Sequence, residues 1–171
     1  MMMKNVKLLM AVLLLTIGFV SNAQKKEDKR TMEWRYEAQC AGIGSGTDYL
    51  IKVYTYSTKK NLPMEQAKKN AVHAVLFKGY PANSEFGCSS QNPMCRNSNI
   101  EFEKKEFFDT FFADGGTYMK FVNDSSDGNI DAGDRMKVGK EYKVGVIISV
   151  NKSELRKYLE SAGIIRGLSQ F

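Results

Sequence analysis

The amino-acid sequence predicts an α+β fold, a two-layer sandwich in which helices pack on one face of a mainly antiparallel sheet of about four strands. Three observations support this prediction: two early segments of alternating polarity, an Ala-rich helical stripe after them, and a strand followed directly by a capped helix near the end. The chain has 171 residues, 43% of them hydrophobic. This is enough for one compact domain with a single core, and a large multidomain enzyme is excluded.

The N-terminus has the parts of a secretory signal peptide. Lys4 and Lys7 precede an apolar run over residues 8–20, and small residues occupy 21 and 23. The run is shorter than the roughly 20 residues that cross a bilayer. We therefore expect residues 1–23 to be a cleaved signal peptide, with no integral membrane segment after cleavage.

An exported chain is expected in the periplasm or outside the cell, and its charge pattern indicates which kinds of molecule it can bind. Residues 24–31 are predicted to be a flexible polar leader, and residues 32–171 a single domain, either periplasmic or secreted. Removal of residues 1–23, which contain two Lys and no acid, lowers the formal charge from +6 to +4. Basic residues are mixed with acidic ones, and no basic stripe alternates with aromatic residues, so nucleic acid is excluded as a partner.

The first two predicted strands are residues 32–41 and 48–57. In the first, Trp34, Tyr36 and Cys40 share one alternation, as in a half-buried strand. The second is partly apolar on both faces and is therefore predicted to be central. The Gly-rich residues 42–46 between them resemble a phosphate-binding loop only superficially, because a strand rather than a helix follows; a hairpin turn or bulge is expected.

A helix is predicted over residues 64–78, preceded by Asn61 and Pro63 and ended by Gly79. Its apolar stripe is rich in Ala, which favours close packing on the sheet. Residues 80–99 then lack periodicity and are rich in Pro, Asn, Ser and Gly, which predicts a long loop or one short strand near Phe86. Loops of this length are often functional.

The second half of the chain completes the element order β-β-α-loop-α-β-β-α. A helix at 103–113 carries four Phe at helical spacing, which predicts buried rings, and strands are expected at 117–122 and 141–150. A final helix starts at Asn151 and stops at Gly163, where glycine is typical of the first residue beyond a helix.

The chain has three Cys, and in an exported protein disulfide pairing is the first hypothesis. Cys88 and Cys95 are the favoured pair because they enclose a short, turn-rich segment. Cys40 would then be a buried free thiol. The alternative joins Cys40 to Cys88 or Cys95, which would tie the long loop to the sheet.

The catalytic hypothesis that the sequence offers is a pair formed by Cys40 and His73. A Cys40 nucleophile would need a base, and His73 is the one His of the chain. No sequence feature brings the two together, and His73 is expected to lie at the polar border of the core. No paired carboxylates, nucleophile-elbow Ser or zinc-type ligand spacing occurs.

Residues 123–134 resemble a calcium loop of the EF-hand and dockerin type. Oxygen-bearing side chains stand at positions 1, 3, 5, 9 and 12 of a 12-residue loop, with Gly128 at position 6. Asn at position 1 and Asp rather than Glu at position 12 depart from that pattern, and the flanks look like strands. An ordinary hairpin loop is the alternative. The predicted calcium ligands are Asn123, Ser125, Asp127, Asn129, Asp131 and Asp134.

Three segments together are similar to small envelope proteins of Gram-negative bacteria, including the lipoprotein and flagellar-accessory kind. These are the exported start, which ends in Ser-Asn-Ala-Gln at residues 21–24, the Ala-rich helix over 65–77, and the strand and helix over 142–159. The chain departs from the lipoproteins because it lacks their lipid-bearing Cys. The resemblance implies an α+β domain with an accessory or assembly role and supplies no site residues.

These observations together predict an exported, non-enzymatic accessory protein that binds another envelope or secreted protein. The loop 80–99 is the expected contact surface. A small periplasmic enzyme, either a hydrolase or a thiol-dependent protein, is one alternative. A calcium-stabilised structural module is the other.

Overall fold

A computed structural model describes residues 34–44, 48–58, 64–125 and 130–167 of the chain. The predicted signal peptide and leader lie outside these residues. The described residues from Tyr36 onward belong to one compact unit. Within the described part, no helix has the length and apolar character that a membrane crossing needs.

The sheet is antiparallel and curls under helices that pack against it, which confirms the predicted α+β class. Its strands are β1 (Tyr36–Ile43), β2 (Asp48–Ser57), β3 (Val122–Asp124), β4 (Arg135–Val138) and β5 (Glu141–Asn151). The hydrogen-bonded order is β1-β2-β5-β3, and β4 also pairs with β5. Strands β3 and β4 follow one another along the same edge of β5, opposite its two ends.

Strand β2 lies in the middle of the sheet, as its two-sided apolar pattern predicts. Ten residue pairs join it to β5, and the register sets Ile51 beside Ile148 and Val53 beside Val146. These four side chains are buried on the same face. On the other side, β1 is interrupted by a bulge between Cys40 and Gly42. The bulge agrees with the expected irregularity of the Gly-rich segment.

The helices are α1 (Met64–His73), which continues as a π-helical segment (Ala74–Lys78), then α2 (Ile100–Glu103), α3 (Lys105–Phe111) and α4 (Lys152–Ser161). Helix α1 contacts both β2 and β5. Its Ala67 and Ala71 are fully buried, so the helix backbone can approach the sheet closely. The predicted Ala-rich packing face is therefore confirmed.

Three of the four phenyl rings predicted to be buried are buried, and Phe107 is half-buried. Phe108, Phe111 and Phe112 are buried, and Phe111 packs edge-on against Tyr118. Tyr158 of α4 stacks on Phe111 as well, with ring centroids 6.0 Å apart. These rings form an aromatic part of the core between α3 and α4, beside the aliphatic side chains of the sheet.

Helix α4 has the predicted caps at its two ends. The Asn151 Oδ1 accepts a hydrogen bond from the Glu154 amide at 3.0 Å. At the other end Gly163 has φ +68°, and the amides of Gly163 and Ile164 donate to the carbonyls of Glu160 and Leu159. This is the Schellman pattern, and the buried Ile164 supplies its apolar contact.

Two predictions of local structure were wrong, and the bounds of one helix differ from those predicted. Residues Thr117–Phe121 are a 3₁₀ helix rather than a strand, and only Val122–Asp124 is extended. Tyr118 and Phe121 are both buried, which the three-residue repeat of a 3₁₀ helix allows and alternation in a strand does not. The predicted helix over 103–113 is confirmed over Lys105–Phe111, and a separate helical turn, Ile100–Glu103, precedes it. Strand β4 was missed, because four residues are too short a pattern to separate from a loop.

The end of the π-helical segment depends on Gly79. Its φ is +67°, and a Cβ at this position would lie 2.2 Å from the carbonyl oxygen of Gln91. Both the backbone conformation and the contact with the following loop therefore exclude a side chain here.

We expect Gly79→Ala to lower the free energy of unfolding by about 3 kcal/mol, since it combines an unfavourable φ with a backbone clash. The matched control is Gly163→Ala, where φ is +68° but no atom lies within 4 Å of the added Cβ. It should cost only about 1 kcal/mol. Urea denaturation of the two variants measures the difference, and equal losses would show that the contact with Gln91 contributes nothing.

Candidate functional site

The loop 80–99 contains no helix and no regular strand, as predicted. Two isolated bridges, Tyr80 with Gln91 and Asn83 with Cys88, fold its first half into a narrow ribbon. The backbone hydrogen bonds of these bridges are 2.9–3.1 Å long. At the end of the ribbon, residues 84–87 form a turn where a short strand near Phe86 was the alternative.

A disulfide between Cys40 and Cys88 ties this ribbon to β1, with the two Cα atoms 6.2 Å apart. The predicted pairing of Cys88 with Cys95 was therefore wrong, and the alternative that joins the loop to the sheet is the observed one. Sequence spacing favoured the short ring. The physical reason for the outcome is that the ribbon carries Cys88 back over β1, while Cys95 is held elsewhere by its own backbone contacts.

Cys95 is a buried free thiol. Burial raises the pKa of this thiol to about 11. A thiol with such a pKa is almost wholly protonated at neutral pH and is a poor nucleophile. Cys40 has no thiol to ionise, since its sulfur is bonded to Cys88. The thiol-dependent mechanism that paired Cys40 with His73 is therefore contradicted.

The second attachment of the loop is to the end of the π-helical segment. The last carbonyls of any helix lack intrahelical partners. Here the amides of Met94 and Cys95 donate to the carbonyls of Val75 and Leu76, each at 2.9 Å. Met94 and Cys95 are both buried. The loop thus completes the hydrogen bonding of the helix that it follows.

The third attachment is a polar contact with the sheet. The Tyr49 hydroxyl of β2 donates to the Gln91 side chain at 2.9 Å. The Lys152 ammonium donates to the same hydroxyl and lies 4.5 Å from the centre of the Tyr49 ring. Tyr80 meets Tyr49 edge-on, with 6.1 Å between ring centroids. Strand, loop and the start of α4 are thereby joined at one end of the sheet.

His73 lies between two hydrogen-bond partners where the loop continues into α2. Its Nδ1 is 2.7 Å from the Tyr36 hydroxyl, and its Nε2 is 3.2 Å from a carboxylate oxygen of Glu101. A carboxylate can only accept, so Nε2 carries the proton and Nδ1 accepts from Tyr36. The expected position of His73 at the polar border of the core is therefore close to what is observed, although its 2% exposure makes it part of the core.

The surroundings of His73 hold it neutral. Burial lowers the pKa of His73 below its usual value, and the nearby Lys78 ammonium lowers it further. The Glu101 carboxylate acts to raise this pKa but does not outweigh burial. Burial, and secondarily the charge of Glu101, raises the pKa of Tyr36. Both directions favour the neutral forms of His73 and Tyr36 at neutral pH. The arrangement is that of a structural hydrogen-bond chain linking β1, α1 and α2.

The turn at the end of the ribbon is one of the exposed parts of the site. Residues 84–87 are all exposed, and 42% of the surface of Phe86 is open to solvent. Phe102 in α2, just after the loop, is 82% exposed. The sequence indicated the loop but not these rings, because exposed and buried Phe have the same sequence signal.

The predicted calcium loop is only partly described. Asp127 and Asn129 lie outside the described residues, and strands β3 and β4 flank the segment where an EF-hand has helices. The Asp134 carboxylate, the predicted last ligand, is 2.7 Å from the Lys52 ammonium. Among the described residues, no group of three His, Cys, Asp or Glu side chains is placed to hold a metal ion. Calcium binding stays a prediction.

No protein-family model, curated protein or solved structure matches this chain. The similarity to small envelope proteins therefore stays a prediction from sequence.

Removal of the disulfide should destabilise the protein strongly. The bond closes a segment of 48 residues, for which loop entropy gives about 4 kcal/mol. We expect Cys40→Ser and Cys88→Ser to lose about this much and to become insensitive to reductant in urea denaturation. Cys95→Ser is the control and should still be destabilised by reductant. Reductant sensitivity that persists in Cys40→Ser would indicate a pairing of Cys88 with Cys95.

Stability should fall as pH is lowered through about 6.5, the usual pKa of His. The folded-state pKa of His73 is lower than the unfolded one, so the unfolded chain binds more protons in this range. The contribution is fully present above pH 6.5 and is lost as pH falls towards the folded-state pKa. His73→Gln should flatten the profile between pH 7.5 and 5.5, measured by urea denaturation. A wild-type free energy of unfolding that stays constant, or increases, as pH falls would contradict a lowered pKa of His73 in the folded state.

Proposed function

We propose that the protein is an exported, non-enzymatic accessory protein of the bacterial cell envelope, which binds another envelope or secreted protein through the loop 80–99. The Cys40–Cys88 disulfide is consistent with an oxidising compartment such as the periplasm or the cell exterior. The signal-peptide pattern of residues 1–23 supports export.

The observation that carries the proposal is the contrast between the base of the loop and its tip. The base is held by a disulfide to β1, by amide bonds to the π-helical segment and by the contact of Gln91 with Tyr49. The tip at residues 84–87 contacts solvent and presents Phe86. A hydrophobic ring on a pre-ordered support loses little conformational entropy on binding, which favours affinity.

The chemistry of the tip indicates the kind of surface it would enter. Ser84 and Glu85 are exposed beside Phe86, so the apolar ring has polar neighbours. Interfaces combine a buried aromatic anchor with a polar rim. We therefore expect a partner protein with an apolar pocket, sized for one phenyl ring and bordered by hydrogen-bonding groups.

The test is a single substitution at the tip. Deletion of the loop would remove Cys88 together with the buried Met94 and Cys95, and would confuse binding with folding. Phe86→Glu changes only an exposed ring. Met119→Glu is the matched control, because Met119 is 37% exposed in the 3₁₀ helix before β3. Both should alter the free energy of unfolding by no more than about 0.5 kcal/mol.

We expect wild type and Met119→Glu to capture the same partner from cross-linked cell envelopes, and Phe86→Glu to lose it. Loss of an aromatic anchor weakens binding by roughly tenfold or more. Capture is read by quantitative mass spectrometry with all three proteins shown to be folded. Equal recovery by Phe86→Glu and wild type would exclude the tip as the contact surface.

A further inference from the structure

Strand β4 forms an open edge of the sheet. It pairs with β5 along one side, through four residue pairs from Arg135 with Val144 to Val138 with Glu141. No other described strand pairs with its opposite side. In any strand, the N–H and C=O groups of alternate residues point to opposite sides, so β4 presents outward a row of backbone groups that no described strand pairs with.

The side chains of β4 divide into an apolar and a basic row. The register places Met136 beside Lys143 and Val138 beside Glu141 on one face of the hairpin, and these two apolar residues are 42% and 47% exposed. Arg135 and Lys137 point to the other face, because side chains alternate along a strand. Residues two apart in a strand lie about 7 Å from one another.

The basic row is not neutralised within the described part of the chain. Lys52 pairs with Asp134, and Lys143 pairs with Glu37. In contrast, Arg135, Lys137 and the turn residue Lys140 form no ion pair with a described residue. The Arg135 Nε is buried and has no hydrogen-bond acceptor, so this donor is left unsatisfied.

We propose that β4 is the docking strand for an extended acidic segment of a partner protein. The segment adds to the sheet as one more strand, with its backbone bonded to the open side of β4. Its carboxylates, on alternate residues, face Arg135 and Lys137, with the turn residue Lys140 just beyond the end of β4, and the apolar residues between them cover Met136 and Val138. The recognised pattern is thus Asp or Glu alternating with Val, Ile or Leu. This surface is separate from the loop 80–99, which is tied to β1 at the opposite edge of the sheet.

Charge complementarity selects this occupant. Arg135, Lys137 and Lys140 are three cations within six residues, and together they attract an anion. Lysines on an edge strand can also serve only to prevent edge-to-edge aggregation. That role needs no acidic partner and gives a different result in the test.

The test measures binding of a fluorescent peptide with alternating Glu and Val to the protein purified from cells that express the full chain. Lys137→Glu/Lys140→Glu is the charge-reversal variant, and Lys120→Glu/Lys157→Glu is the control with the same change of charge at exposed residues elsewhere. A second peptide carries N-methyl groups on alternate residues, which keep its charge but remove backbone donors. Anisotropy gives each affinity.

The proposal expects at least about tenfold weaker binding for the Lys137/Lys140 variant and for the N-methylated peptide, with the control variant near wild type. Binding should also weaken as salt is added. Phe86→Glu should leave it unchanged, which separates this result from the test of the loop.

Three results would overturn the proposal. Equal losses in both charge variants would mean a non-specific attraction. Full binding of the N-methylated peptide would mean that no strand is added. Absence of peptide binding would also reject it. In that case, aggregation of Lys137→Glu/Lys140→Glu would indicate that the lysines only protect the edge strand. Binding of the wild type to vesicles of anionic phospholipid would indicate a membrane surface instead of a peptide.

Discussion

The pairing of β2 with β5 is the contact on which the rest of the structure depends. Ten residue pairs hold these strands together, and their inward side chains Ile51, Val53, Val146 and Ile148 form the surface on which α1 packs. Strand β1 adds to one side of this pair, and β3 and β4 add to the other. A slip of β2 by one residue would turn Ile51 and Val53 outward while Val146 and Ile148 stay inward, so the hydrophobic effect itself maintains the register.

The loop 80–99 is ordered because it supplies hydrogen bonds and a disulfide that the neighbouring helix and sheet use. The helix before it ends with unpaired carbonyls, and Met94 and Cys95 supply the missing donors. The Cys40–Cys88 bond and the Tyr49–Gln91 contact then hold the ribbon at the edge of the sheet. The segment is therefore long and irregular, yet its base is held at several points while its tip is exposed. Restraint at the base and exposure at the tip are what a recognition element requires.

The main elements of the fold could be predicted because their signals are local. Alternation in β2 and β5, the Ala stripe of α1, and Asn151 and Gly163 around α4 each report a structure that a few neighbouring residues determine. Prediction failed where neighbours were not decisive. Residues Thr117–Phe121 form a 3₁₀ helix because Tyr118 and Phe121 both have room in the aromatic core. The separate helical turn Ile100–Glu103 and the π-helical segment after His73 left no signal in the sequence pattern.

Sequence alone determined the α+β class, the central place of β2, the long loop and its position in the chain. Tertiary structure decided what the loop touches: that Cys88 bonds Cys40, that His73 meets Tyr36 and Glu101, and that Phe86 is exposed while Phe111 is buried. Secondary structure follows from interactions between residues a few positions apart. Pairings across 28 to 48 positions depend instead on where packing carries each segment, and no local pattern encodes that.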